Sequence, residues 1–198
     1  MSSDAVAALT PESGHPPRNR RQEETFRKVL AAGLEMLRES SYADLTVRAV
    51  AARAKVAPAT AYTYFSSKNH LIAEIYLDLM QKVDYFTDVN DSTATRVEKT
   101  LRTMALTLAD DPEVAAACTT ALLSGNDTTV RTVREKIAGE IHKRIRAAVG
   151  PDPDPRTLAA LEMTFFGALV NAGSGAFTYH QIADRLSYVV GLIVGEDR

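Results

Sequence analysis

Apolar residues recur every three or four positions over most of this chain, and no stretch alternates as a strand would. In "RQEETFRKVLAAGLEMLRES", Phe26, Leu30, Leu34 and Leu37 fall on one face of a helix. "SSYADL" breaks the pattern. Thr46 then stands where an N-cap belongs, ahead of "VRAVAARA", with Val47, Val50, Ala51 and Ala54 as a narrow inward stripe. After the turn "KVA", Pro58 suits a first helical position, and "PATAYTYF" predicts a third helix barely two turns long, with Phe65 turned to the core. Ser67 can cap a fourth helix, "KNHLIAEIYLDLMQKVDYF", in which Leu71, Ile75, Leu79, Val83 and Phe86 keep one face apolar. Beyond the polar stretch 87–95, helical segments are predicted near 95–109, 112–124, 128–148, 155–178 and 180–195. Asp110-Asp111-Pro112, Ser124-Gly125-Asn126-Asp127 and the proline-rich 150–155 separate them. The predicted fold class is all-α, with about nine helices in total.

Two short helices joined by a three-residue turn, after one longer amphipathic helix, make a helix-turn-helix. The second of the pair must enter a DNA major groove about 12 Å wide, so small exposed residues let its backbone come close. Ala57 and Ala59 supply the smallness. Thr60, Tyr62, Thr63 and Tyr64 supply hydroxyls for phosphates, and methyl groups or ring edges for thymine. Thr46 and Lys68 sit at two helix starts where a phosphate would approach.

Net charge at pH 7 is −2, which by itself argues against a nucleic-acid binder. Its distribution argues the other way. Residues 1–70 hold ten Lys and Arg against seven Asp and Glu, whereas residues 71–198 hold thirteen against eighteen. Arg18, Arg20 and Arg21 cluster at the basic end, as a solubilising tail or as an arm that reaches the minor groove.

"LTVRAVAARAKVAPATAYTYFSSKNHLIAEIY" resembles the DNA-binding domain of the TetR (tetracycline repressor) family of transcriptional regulators. The matching positions are Thr46, Val50, Ala51, Ala54, Val56, Thr60, Tyr62, Tyr64, Phe65, Ser67, Lys68 and Leu71. The resemblance covers about residues 21–80; the rest of the chain matches in length and helix count. Three positions depart from the family pattern. Lys55-Val56-Ala57 replaces Gly-Val-Ser at the turn, Ser41 replaces a glycine before Tyr42, and Thr63 stands where relatives often carry Arg or a large polar residue. The resemblance also implies that Arg48 reads a base, since the family's founding member uses an arginine at the matching position. Arg is moreover the best bidentate donor to guanine.

An enzyme has no residue to rest on here. His15, His70, His142 and His180 lack metal-ligand spacing, among themselves and with Cys118. "AGSGAF" follows a helical run and lacks the frame of a nucleophile elbow. No cofactor and no metal are expected. One cysteine permits no internal disulfide, and no run reaches the length of a membrane span, so a cytoplasmic protein with no membrane partner is expected.

Leu158, Phe165 and Leu169 in "LAALEMTFFGALVNAGSGAF", with Leu186, Val190 and Ile193 in the last segment, make apolar faces that predict a homodimer built on a four-helix bundle. The family pairs its last two helices in this way. Met104, Leu108, Thr119, Leu122, Met163 and Phe166 are the candidate walls of an effector pocket, facing alanine-rich segments. Its ligand should be largely hydrophobic, with one hydroxyl or carboxyl for Thr119 or Asn171.

The chain thus divides into a disordered basic tail (1–19), a helix-turn-helix DNA-binding domain (20–66) and an effector-binding and dimerisation domain (67–198), with the fourth helix linking the last two. Its partners would be a double-stranded, palindromic DNA operator, a small hydrophobic ligand and a second copy of itself. The function expected is a repressor released from its operator by that ligand. The alternative is an all-α ligand-binding or catalytic protein with a vestigial helix-turn-helix.

Overall fold

The computed structural model describes residues 19–124 and 127–195, and these form nine α-helices and no strand. They are α1 (Arg20–Glu39), α2 (Val47–Arg53), α3 (Pro58–Tyr64), α4 (Lys68–Gln81), α5 (Thr93–Leu106), α6 (Pro112–Leu123), α7 (Thr128–Val149), α8 (Pro155–Gly173) and α9 (Tyr179–Val194). Side-chain caps fix most of the starts. Asn19 and Gln22 form a capping box on α1, Thr178 and Gln181 another on α9, and Thr46, Ser67 and Ser92 cap α2, α4 and α5. Residues 1–18, with Arg18, lie outside the described residues.

Helix α4 is the axis of the molecule. The pattern predicts one apolar face, but every residue from His70 to Leu77 is buried, including Glu74 and Tyr76. It is covered by α1 on one side and by α6 and α7 on the others. It also ends earlier than the apolar spacing predicts, at Gln81 rather than near Phe86. Arg144 of α7 is the physical reason. Its Nη2 donates to the Gln81 carbonyl at 2.9 Å and its Nε to the Val83 carbonyl at 3.0 Å. A foreign donor therefore takes the carbonyls that a longer helix would have used itself.

Helix α8 likewise stops at Gly173, short of residue 178, because Gly175 turns the chain at φ +77° and Thr178 restarts it as the cap of α9. Helix α9 then packs on both α5 and α8.

Candidate nucleic-acid interface

The sequence builds the α2–turn–α3 unit from alternating inward and outward positions. Val47, Val50, Ala51 and Ala61 are buried, and Phe65 at the end of α3 stacks on Phe26 of α1 with ring centroids 5.0 Å apart. Lys55 takes the left-handed conformation in the turn, at φ 56°, where the family pattern has glycine. Ala57 occupies the N-cap of α3 without a side-chain hydrogen bond, and Pro58 follows at the first turn. What remains outside is a face of small and hydroxylated residues. Ala57, Ala59, Thr60, Tyr62 and Thr63 are all exposed, Tyr62 by 50%. Thr63 Oγ1 donates to the Thr60 carbonyl at 2.6 Å, leaving its oxygen lone pairs and its methyl outward.

The other residues singled out from the sequence divide. Arg48 is exposed on α2 and makes no hydrogen bond or ion pair with the described residues, whereas Arg53 pairs with Glu39 and Glu35. Thr46 is committed to capping, accepting from Ala49 N–H at 3.1 Å. Tyr64 lies inward, its ring edge-on to Phe26 at 6.1 Å. Arg20 and Arg21 are exposed at the start of α1, and Arg20 pairs with Glu24. Lys68 is engaged inside the fold: its Nζ donates to the Tyr42 carbonyl at 3.0 Å and sits 4.0 Å above the Tyr42 ring.

Three polar links tie this unit to the following helices. Arg38, in the last turn of α1, grips Asp111 at the start of α6, with Nη2 donating to Oδ2 at 2.7 Å. Asn69 Nδ2 donates to Ser124 Oγ at 2.9 Å. Ser67 Oγ, the cap of α4, donates to Asp127 Oδ2 at 3.0 Å, while Asp127 Oδ1 caps α7 by accepting from Thr129 N–H. One carboxylate thus holds two helix starts. Its burial works against the charge, but the hydrogen bonds from Ser67, Thr129 and Val130 outweigh that and hold it below the usual carboxylate range. In the sequence Asp127 stood out only as part of the helix-separating stretch Ser124-Gly125-Asn126-Asp127; its bond to Ser67 spans sixty residues.

In the remaining helices, two sets of expected residues need correction. Leu158, Phe165, Leu186 and Val190, expected at a dimer surface, are buried within the chain, and Leu169 and Ile193 pack half-buried against the same core. Met163 and Phe166, expected to face a pocket, lie outside instead, exposed by 75% and 38%. Asn171 is exposed as well, donating to the Gly167 carbonyl at 2.8 Å. The reason is rotational. On a 100° wheel, positions 158, 161, 165 and 172 cluster on one side of α8, and 163, 166 and 170 fall about 140° away. The outward face of α8 and α9 therefore carries Met163, Phe166, Val170, Tyr188 and Leu192, the last exposed by 85%. Its three-and-four spacing was present in the sequence and was overshadowed by the stronger inner stripe. Met104 of α5 and Leu108, in the turn after it, are buried and Thr119 and Leu122 of α6 half-buried, so the seven pocket candidates do not line one cavity. A groove of about 770 Å³ opens elsewhere, between the α4–α5 loop and the end of α7, lined by Thr87, Arg96, Lys143 and Arg146 among others.

Among the described residues, no three His, Cys, Asp or Glu side chains group as a metal ion would need, and no helix is long and apolar enough to cross a membrane.

Residues 29–75 match the family model described as bacterial regulatory proteins, tetR family. The chain is 63% identical over 201 residues to an uncharacterized HTH-type transcriptional regulator of Mycobacterium tuberculosis, covering 98% of this chain and 94% of that protein. It is 26% identical over 185 residues to the HTH-type transcriptional repressor KstR of Rhodococcus jostii, covering 88% of this chain and 85% of the repressor. A TetR transcriptional regulator from Rhodococcus sp. RHA1, 22% identical, superposes with a TM-score of 0.76 over 89% of this chain and 98% of its own. The helix-turn-helix with its bare outer face, the nine-helix architecture and these likenesses together assign the chain to the TetR family of bacterial transcriptional regulators.

Proposed function

We propose that the protein is a homodimeric repressor that holds a two-fold DNA operator and releases it on binding a small, largely hydrophobic ligand. The DNA-binding domain would be residues 20–66, and residues 67–198 the effector-binding and dimerisation body, with α4 shared between them. The exposed face of α3, small and hydroxylated with the unpartnered Arg48 beside it, carries this reading. Side chains of that kind admit a helix into the major groove, and an unpaired guanidinium is free to reach a guanine edge. Binding two half-sites about 34–36 Å apart requires two such faces in fixed relation, hence two copies. Met163, Phe166, Val170, Tyr188 and Leu192 favour an outward face of α8 and α9 as the surface that joins them. The repressor name of the Rhodococcus jostii relative supports the sign of regulation.

The test is DNA affinity measured on operator and on random duplex. Arg48→Ala should weaken operator binding by about 1–3 kcal/mol and leave random-duplex binding nearly unchanged. An unchanged ratio of the two affinities would remove Arg48 from base recognition. Loss of every sequence preference in the parent protein on fragments flanking its own gene would remove the regulator reading.

A further inference from the structure

The outward face of α3 carries methyl groups where a reading helix commonly carries paired donors and acceptors. On a 100° wheel Ala59 and Thr63 lie about 40° apart at the middle of that face, with Thr60 and Tyr62 at its two edges. All four are exposed, whereas Ala61 and Phe65 are fully buried on the opposite side. Thr63 spends its hydroxyl proton on the Thr60 carbonyl at 2.6 Å, so it has a methyl to offer a base but no donor. From Val56 to Phe65 the sequence holds no Arg, Lys, Asn, Gln, Asp or Glu. Those side chains read guanine, adenine and cytosine through hydrogen bonds to the base edges. Lys55 lies in the turn ahead of the helix, and Lys68 beyond it is held by the Tyr42 carbonyl. Among the described residues of α2 and α3, Arg48 is the one guanidinium without an ion pair.

Thymine alone among the four bases carries a methyl group in the major groove, and an alanine or a threonine methyl recognises it by apolar contact. We propose that Ala59 and Thr63 select thymine through its 5-methyl group, so that each operator half-site sets T·A pairs beside a guanine read by Arg48. The inference rests on the protein being a DNA-binding regulator, and it adds which bases the operator carries. Side chains this short touch a base only when the backbone of α3 lies close to it, and the small, exposed Ala57 and Ala59 permit that approach. Each thymine methyl withdrawn from water in this way is worth about fourfold in affinity.

The full chain first selects half-sites from a random duplex library. The enriched duplex is then remade with deoxyuridine in place of each thymidine, one position at a time. That exchange removes the 5-methyl group and keeps every hydrogen-bonding group of the base. Enriched half-sites should contain thymine, and at one or two of its positions uracil should weaken binding about fourfold. Thr63→Ser keeps a hydroxyl for the Thr60 carbonyl but lacks the methyl, and should lose the preference for thymine over uracil at one of these positions. Thr63→Val keeps a methyl without the hydroxyl and should retain that preference. Ala59→Gly should abolish it at the neighbouring position. The ratio of thymine to uracil affinity is taken within each variant, so a general loss of folding or of affinity cancels. Half-sites without thymine overturn the proposal. So does uracil tolerated at every position, or a ratio unaltered in both Thr63→Ser and Ala59→Gly. Preference lost in Thr63→Val but kept in Thr63→Ser would assign the discrimination to the hydroxyl and overturn it as well. Enrichment of no sequence at all would defeat the regulator reading itself, whereas enrichment with uracil tolerated defeats the methyl contact alone.

Discussion

Replacing Arg144 by methionine tests whether one buried guanidinium closes the central helix. Arg144 is 2% exposed. Besides the Gln81 and Val83 carbonyls, it donates from Nη1 to the Glu140 carbonyl at 3.1 Å and to Glu140 Oε2 at 2.8 Å, and it lies 4.8 Å from the centre of the Tyr85 ring. Breaking a buried ion pair by removing one partner costs about 3–5 kcal/mol. Two circumstances place this case at the low end. Gln81 is exposed, so water can take over its carbonyl, and Glu140 keeps Lys143 Nζ at 2.9 Å. Methionine fills most of the volume, so the cavity contribution is small. The expected loss is therefore about 3 kcal/mol in urea unfolding followed by helical circular dichroism, at fixed protein concentration and with an unchanged denaturant slope. Arg144→Lys should recover about 1 kcal/mol, because an ammonium can reach one carbonyl but not span both. A loss below about 1 kcal/mol in Arg144→Met would show that the Gln81 and Val83 carbonyls need no internal donor, and the explanation for the early end of α4 would fall.

The outer face of α8 and α9 predicts that Leu192→Glu lowers the sedimentation mass at micromolar concentration while the helical signal is kept, whereas Leu186→Glu unfolds the body; a dimer unaffected by Leu192→Glu would move the interface elsewhere. Alkaline pH should destabilise the fold. Burial pushes the Cys118 thiol from near 9 up to about 12 and raises Tyr76 too, so the unfolded chain loses these protons first. Stability then falls as pH rises from about 9 towards 12, by up to about 1.4 kcal/mol per pH unit for each group, and Cys118→Ala should flatten the first part of that fall. Ala57→Ser restores a side-chain cap to α3 and should add about 1 kcal/mol to unfolding stability; no gain would mean that Pro58 already fixes the helix start.

Helix positions were legible in this sequence because caps and breakers are local signals. Thr46, Pro58 and Ser67 each stand at a helix boundary, and short-range periodicity marks the runs between them. The outer face of α3 was legible for the same reason, since smallness and hydroxyls on a two-turn helix have few other uses. The assignment of faces in α8 was not. Both of its stripes are apolar, and periodicity alone does not say which meets its own chain and which is left outside. The links that position the DNA-binding unit were also hidden, because Arg38 and Asp111 lie 73 residues apart and Ser67 and Asp127 lie 60 apart. Lys68 shows the limit of a motif. The residue matches the family pattern, yet its ammonium is held by Tyr42, a contact that only the packed helices create.

The tethers of α4 and α6 differ in strength, and the difference selects a route for the proposed ligand release. Helix α4 is fastened to α7 at both ends, by Ser67–Asp127 and by the buried Arg144, so sliding α4 along α7 must break the costly clamp. Helix α6 reaches α1 through Arg38–Asp111, whose side chains are 49% and 26% exposed, and exposed pairs of this kind contribute about 1 kcal/mol or less. A ligand that entered the body beside α6 would act first on this weaker tether, because the Thr119 side chain of α6 already lies against Gly173 of α8 and leaves no room without a shift. The cheapest response is then a shift of α6 that loosens Arg38–Asp111 and Asn69–Ser124, altering how α1 and its attached helix-turn-helix are held. The coupling available through such contacts is about 1–3 kcal/mol, and it is reciprocal: operator DNA must weaken the ligand by the same factor by which the ligand weakens the operator.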